Sequence, residues 1–190
     1  MNPIQYANKT ENWEKWWYGY QYGAFYIFPP EEVMQIVDAL RQKYDPKSAG
    51  YCRAHISLSE PLTHPITEAE IRSLEQDLQS VKSFEIEYGP IQTHPPYPGV
   101  TFKINPEETF AQLRKIIHAN KLFDGVEIKR STIVPHMTIA EFVSMERTME
   151  IFDELKDITK SGKFICDKIV LAVPDNDFYF NQVLEISLGE

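Results

Sequence analysis

The chain has 190 residues, a formal net charge of -9, 43% hydrophobic residues and 25% charged ones. This suits one soluble globular unit or two small, intimate lobes. The acidic balance excludes broad binding to long duplex nucleic acid, which needs a basic face, but admits a small anionic substrate in a locally positive cleft. No window reaches the run of about 18 to 20 apolar residues that a membrane span needs. Met1–Trp17 also lacks the basic start and apolar middle of a secretory signal. Cys52 and Cys166 have no metal-ligand spacing, so two reduced, buried thiols and a cytoplasmic protein are expected.

Residues 1–22 carry Trp13, Trp16, Trp17, Tyr18, Tyr20 and Tyr22 and read as an aromatic N-terminal extension ahead of a single domain over residues 23–190. Packing against the body is the first expectation for this extension, with a lid or a partner surface as the alternatives. Gly23–Phe28 predicts a short strand stopped by Pro29-Pro30. Glu31–Lys43 predicts a helix, with Val33, Ile36, Val37 and Leu40 as its inward stripe. Tyr51–Leu58 reads as a strand and Thr67–Val81 as a helix opened by a Thr67/Glu70 capping box. Phe84–Tyr88 is a further strand, the proline-rich Ile91–Gly99 an irregular loop, and Val100–Ile104 a strand again. Pro106–Ala119 reads as a helix facing inward through Phe110, Leu113, Ile116 and Ile117. A short strand around Val126–Ile128, a strand over Thr132–Glu141 and a helix over Met145–Ile158 follow. Lys168–Val173 and Phe178–Leu188 form a closing hairpin. Strands and helices mix without a sustained parallel repeat, so the class is α+β with largely antiparallel sheets.

Two stretches repeat. Ala24–Leu40 parallels Val100–Ile116, each a short strand, a Pro-Glu-Glu and a helix. Downstream, His55–Glu60 (HISLSE) parallels His136–Glu141 (HMTIAE), each followed by a helix. Two like halves are expected to pack about a pseudo-twofold axis, with the equivalent strands central and His55 facing His136.

In a strand, His55 and Ser57 share one face, as do His136 and Thr138, roughly 7 Å apart along each strand. Arg53 and Tyr51 have the same parity as His55. Two imidazole–hydroxyl pairs facing one another make a four-point site for a phosphate. One neutral histidine takes a proton from the attacking water or hydroxyl, and the other, as imidazolium, protonates the leaving oxygen. Ser57 and Thr138 donate to the non-bridging oxygens. The scheme calls for neither metal nor cofactor.

With these residues in hand, the sequence resembles the 2H phosphoesterase superfamily, which includes bacterial and archaeal RNA 2',3'-cyclic phosphodiesterases, also called 2'-5' RNA ligases. The resemblance rests on His55-Ile56-Ser57 and His136-Met137-Thr138 and covers Ala24–Gly189. It implies a bilobal fold of two pseudo-symmetric lobes, antiparallel sheets facing a central cleft and helices outside. It also implies catalytic roles for His55 and His136 and phosphate contacts from Ser57 and Thr138. Arg53, Tyr51 and Arg130 are added here as substrate-binding candidates. The sequence departs from the family in its first 22 residues, and in lacking evident cleft cations beyond Arg53, Lys129 and Arg130.

The expected activity is opening of a 2',3'-cyclic phosphate on a nucleotide or RNA end. The alternatives are hydrolysis of 2'-5'-linked or cyclic oligonucleotides, and a non-catalytic nucleotide- or RNA-binding module of the same fold. Nothing in the sequence specifies an oligomeric state or which histidine is the acid.

Overall fold

In the computed structural model, which describes residues 3–129 and 133–189, there are eight strands and five α-helices, four on the expected helical stripes and a short fifth over Pro46–Ala49 that the sequence does not announce. In chain order these are β1 (Ala24–Ile27), α1 (Glu31–Tyr44), α2 (Pro46–Ala49), β2 (Ile56–Ser57), α3 (Glu68–Leu78), β3 (Phe84–His94) and β4 (Tyr97–Asn105). They continue as α4 (Glu107–Ala119), β5 (His136–Ala140), α5 (Met145–Leu155), β6 (Gly162–Cys166), β7 (Lys168–Pro174) and β8 (Phe180–Ser187). Thr67 and Glu70 form the expected capping box on α3.

All eight strands join one sheet in the order β6-β3-β4-β5-β2-β1-β7-β8, and every pairing between them is antiparallel. The order is balanced about its middle. The two motif strands β2 and β5 pair with each other, β1 and β4 flank them, and β7–β8 and β3–β6 complete the two sides. The sheets of the two halves are thus continuous through the β2–β5 junction, where Ile56 partners Met137. The α+β class and the antiparallel pairing are those expected.

One face of this sheet packs on the helices. Phe25, Ile27, Ile56, Leu58, Phe102, Ile104, Met137 and Ile139 are at most 2% exposed there. The other face, over β1 and β7, holds a smaller cluster of Tyr26, Ala172, Phe178, Phe180 and, from the N-terminal segment, Trp13. That second cover explains why all four residues of β1 are buried. The chain enters β1 through Gly23, at φ 79, where a Cβ would lie 2.2 Å from the Ala172 carbonyl oxygen.

Several local expectations are corrected. Only Ile56 and Ser57 of Tyr51–Leu58 are strand, because Asp38 intercepts the chain just before them, accepting from Ala54 N at 2.6 Å. The Ile91–Gly99 stretch is not irregular. It closes the β3–β4 hairpin, with Ile91 paired to Phe102 and His94 to Tyr97. Its prolines are tolerated because Pro95 and Pro96 lie in the turn and Pro98 lies at the register shift between the Thr93–Val100 and His94–Tyr97 pairs. Val126–Ile128 forms no strand, whereas β6, unforeseen, pairs along the β3 edge. Phe178 precedes β8 in a turn, at φ 63.

The helical stripes are also rotated from expectation. Ile36 is 60% exposed, while Arg41 is only 2% exposed and faces inward; on α4, Arg114 is buried and Ile116 only partly so. These two arginines reach across the molecule in opposite senses. Arg41 of α1 donates to Thr138 O in β5 at 3.1 Å, and to Ser48 O and Cys52 O at 2.8 and 2.9 Å. Arg114 of α4 donates to Ser57 O in β2 at 2.8 Å and also to Ile133 O. Each half therefore grips the other half's motif strand. Replacing Arg41 by Met should orphan buried carbonyls at about 1–3 kcal/mol each before relaxation. We expect Arg41→Met to lower the urea midpoint by an amount equivalent to about 3 kcal/mol with little change in m. An unchanged midpoint would show that the three carbonyls need no guanidinium.

Candidate active site

β2 is only two residues long, so its register does the positioning. With Ile56 opposite Met137, antiparallel geometry sets Ser57 against His136 and His55 against Thr138. These four side chains leave the sheet on the face away from Ile56 and Met137, which lie in the core. Opposed residues have Cβ atoms roughly 4.5–5.5 Å apart and diagonal ones roughly 7–8 Å. The two imidazoles thus lie on a diagonal with a gap that suits a phosphoryl group.

Both rings are held in the same way. His55 Nδ1 lies 2.8 Å from Arg53 O and His136 Nδ1 lies 2.9 Å from Val134 O, each two residues upstream. A carbonyl oxygen only accepts, so Nδ1 is the protonated nitrogen and the neutral ring carries its lone pair on Nε2. Their surroundings differ. Tyr26 sits edge-on to His55 with ring centroids 4.7 Å apart. On the other side, the His94 ring is 6.0 Å from that of His136 and its Nε2 is 3.0 Å from Thr101 Oγ1. Burial, the largest effect, pushes the His136 pKa below the ordinary histidine value. The positive charges of His94 and Arg114 push the same way, against the Val134 carbonyl and Glu141.

A cavity of about 200 Å³ opens over this face. His55, Ser57, His136 and Thr138 line it together with Arg41, and Trp16, Tyr20, Tyr51, Phe142, Phe178 and Phe180 form an aromatic wall. The Arg41 guanidinium donates to carbonyls, and Asp38 Oδ1 is 4.0 Å from its Nε. The carbonyl oxygens carry no net charge, and Asp38 together with Glu141, which also lines the cavity, offsets part of the guanidinium's positive charge. A second hollow, of about 320 Å³, lies on the far side of His136 and Thr138 and is lined by His94, Tyr97 and Thr101. The two share His136, Thr138 and Glu141.

The cavity gathers five of the seven residues chosen from sequence: His55, His136, Ser57, Thr138 and Tyr51. Arg53 is engaged elsewhere. Its guanidinium bonds to Asp38 at 2.8 Å and to Glu31 at 2.7 and 2.9 Å, and strand alternation does not extend back to it. Arg130 lies outside the described residues, and Lys129 pairs with Glu127 at 3.0 Å. Arg41 and Tyr26 carry no motif signal in the sequence, and Trp16 comes from the aromatic extension for which a lid is one of the alternatives. His94 carries none either, because its place in a proline-rich stretch reads as a loop residue. His64 bonds to Glu70 at 2.8 Å, and His118 Nε2 accepts from Glu60 N at 3.0 Å.

The site's electrostatics can be tested by NMR titration of the His136 ring in the intact chain. Its midpoint should fall below 6.5. His94→Gln should raise it without restoring 6.5, because burial remains. With its folded pKa depressed, neutral His136 contributes stability at high pH that is lost as pH falls below the unfolded value near 6.5. A midpoint at or above 6.5 would contradict the burial argument.

The family model described as the 2'-5' RNA ligase superfamily matches residues 29–178, a span that contains both histidine motifs. A provisionally named phosphoesterase of Oceanobacillus iheyensis is 26% identical over 136 residues, covering 68% of this chain and 76% of its own. One from Bacillus licheniformis is 26% identical over 150 residues, covering 76% and 85%. Among solved structures, Escherichia coli LigT complexed with 3'-AMP superposes with a TM-score of 0.60 at 16% identity, covering 88% of this chain and 97% of LigT. A Thermus thermophilus protein gives 0.54 at 16%, covering 88% and 98%. At those identities the superpositions speak for the fold alone, and the family match speaks for descent. The chain belongs to the 2'-5' RNA ligase superfamily, a group of 2H phosphoesterases.

Proposed function

We propose that this protein hydrolyses 2',3'-cyclic phosphates on nucleotides or RNA ends, with His55 and His136 as its acid–base pair. The observation that carries the reading is the matched Nδ1–carbonyl bond on each histidine. It makes Nε2 the working nitrogen of both rings, on a face shared with Ser57 and Thr138.

Water attacks phosphorus as the neutral histidine's Nε2 takes its proton. The bond from phosphorus to the 2' or 3' oxygen then breaks, and the imidazolium gives its proton to that oxygen, leaving a phosphomonoester. Each positioned proton transfer contributes about 10²–10⁴ in rate. His136, held neutral by burial and by His94, suits the base, and His55 the acid. Ser57 and Thr138 donate to the non-bridging oxygens, and Arg41 adds positive charge nearby.

A nucleotide-sized substrate fits the net charge of -9. The complexes of the similar E. coli LigT with 3'-AMP and with ATP favour a nucleotide ligand here as well. The second hollow, beyond His136 and Thr138, favours a further reading in which 2'-5'-linked or cyclic oligonucleotides place groups on both sides of the scissile phosphate.

The test is hydrolysis of 2',3'-cyclic nucleotides and 2'-5' dinucleotides in EDTA by wild type, His55→Ala and His136→Ala. Turnover in EDTA that falls at least a hundredfold in each variant is expected. Near-wild-type turnover in either variant would remove that histidine from the mechanism, and binding without turnover in wild type would favour a non-catalytic module.

A further inference from the structure

We propose that the N-terminal segment completes a nucleobase subsite, in which the rings of Trp16 and Phe142 take the substrate's base between them. The proposal rests on the phosphodiesterase reading for its phosphate end, and deepens it by naming what holds the base.

Residues 1–28 lie outside the family match, yet Trp16 and Tyr20 belong to the same cavity wall as the two histidines. The segment is fixed there by specific bonds. Trp13 Nε1 donates to Asn176 O at 2.9 Å, and the Asn8 and Lys9 amides donate to Asn176 Oδ1 at 3.0 Å each. Trp17 stacks on Phe178 at 4.3 Å and 3°. Such anchoring lowers the ordering cost of binding a ligand.

Most rings of this cluster are packed on one another, but Trp16 and Phe142 each keep 43% exposure. Their centroids are 6.4 Å apart and their planes 35° from parallel. Two stacking contacts of about 3.5 Å each need slightly more than that, so a small rotation of two exposed side chains admits a planar base. Tyr51 closes the back of this slot, edge-on to Trp16 at 6.0 Å and to Phe142 at 5.8 Å. The Trp16 indole is steadied by its Nε1 bond to Glu14 at 2.7 Å. Lys47 Nζ lies 4.8 Å from the Phe142 ring centroid, but an exposed cation–π contact on a flexible stem competes weakly with a stacked base.

The motif sets the ligand's direction. His55, Ser57, His136 and Thr138 converge on one part of the cavity lining, and Trp16 and Phe142 belong to its aromatic wall. The phosphate goes to the hydrogen-bonding motif, and the uncharged base is left to the aromatic slot.

The chain's three tryptophans are Trp13, Trp16 and Trp17, so intrinsic fluorescence reports this segment alone. Adenosine 2'-monophosphate, ribose 5-phosphate and inorganic phosphate are titrated into wild type, Trp16→Ala, Trp16→Phe and Phe142→Ala. Fluorescence follows the wild type, and calorimetry gives the affinities. Adenosine 2'-monophosphate should quench the emission and bind at least about tenfold tighter than ribose 5-phosphate. Trp16→Ala and Phe142→Ala, on separate elements, should each weaken it roughly tenfold or more while phosphate affinity changes little, and Trp16→Phe should retain most of it. Equal nucleotide affinity in wild type and both alanine variants, or no advantage of nucleotide over ribose phosphate, would overturn the subsite. Base-dependent binding with no cyclic-phosphate turnover would sink the hydrolase reading alone. Turnover with an unchanged KM in Trp16→Ala would sink the subsite alone.

Discussion

One backbone contact between two short strands organises this protein: the pairing of Ile56 with Met137 across the centre of the sheet. Side chains alternate along a strand, so a slip of β2 by one residue would send His55 and Ser57 into the core and Ile56 into the cavity. Burying Ile56 and Met137 completely opposes that slip, at about 1.5–3 kcal/mol for each side chain. A two-residue strand has little ladder of its own, and its neighbours hold it instead. Leu58 N donates to Phe25 O at 3.0 Å, and Phe25 N donates to Ser59 Oγ at 2.9 Å. Asp38 fixes Ala54 on the approach. The site is therefore as well placed as the core beneath it, because both follow from the same register.

The crossed arginines extend that logic to the helices. Arg41 and Arg114 each leave a helix of one half to bond the motif carbonyl of the other, at Thr138 and Ser57. Bonds of this kind hold the junction at its backbone, so the motif side chains remain available to the cavity. They also place positive charge under the sheet's centre in a chain of net charge -9. Buried guanidinium groups are costly unless their N–H groups find acceptors, and the carbonyl acceptors satisfy several of them.

Much of this is legible in the chain. The duplicated H-x-[ST] strands, their apolar partners and the pseudo-twofold pairing follow from a period of two and from the repeat. What escapes has physical reasons. The inward stripes of α1 and α4 read as purely apolar, which favours Ile36 over Arg41 and Ile116 over Arg114. A charged residue in equivalent helices of both halves is the available signal. His94 is hidden because prolines mask a strand when they sit at its bulge and turn. The Trp16 wall is only one of several placements open to the segment, since aromatic composition says that a segment packs but does not choose between the body and a lid. The repeat itself misleads by one position. Pro30 follows Ile27 by three residues and Pro106 follows Phe102 by four, yet Ile27 and Phe102 are the equivalent partners of Ile56 and Met137.

That slip separates the two halves chemically. It makes Tyr26 the counterpart of Thr101, each opposite a motif hydroxyl residue, Ser57 and Thr138. The first histidine is thereby lodged among aromatic rings, with Tyr26 at 4.7 Å and Phe28 at 6.0 Å. The second faces a hydroxyl–histidine pair, Thr101 with His94. Two nearby imidazoles in identical settings share a single proton equally, because each opposes the other's second protonation, and neither is fixed as acid or base. Unequal surroundings push paired groups apart in pKa and let each favour one role. The symmetry of the motif thus sets the two histidines on one face, and the departure from symmetry in the flanking strands gives their rings different surroundings.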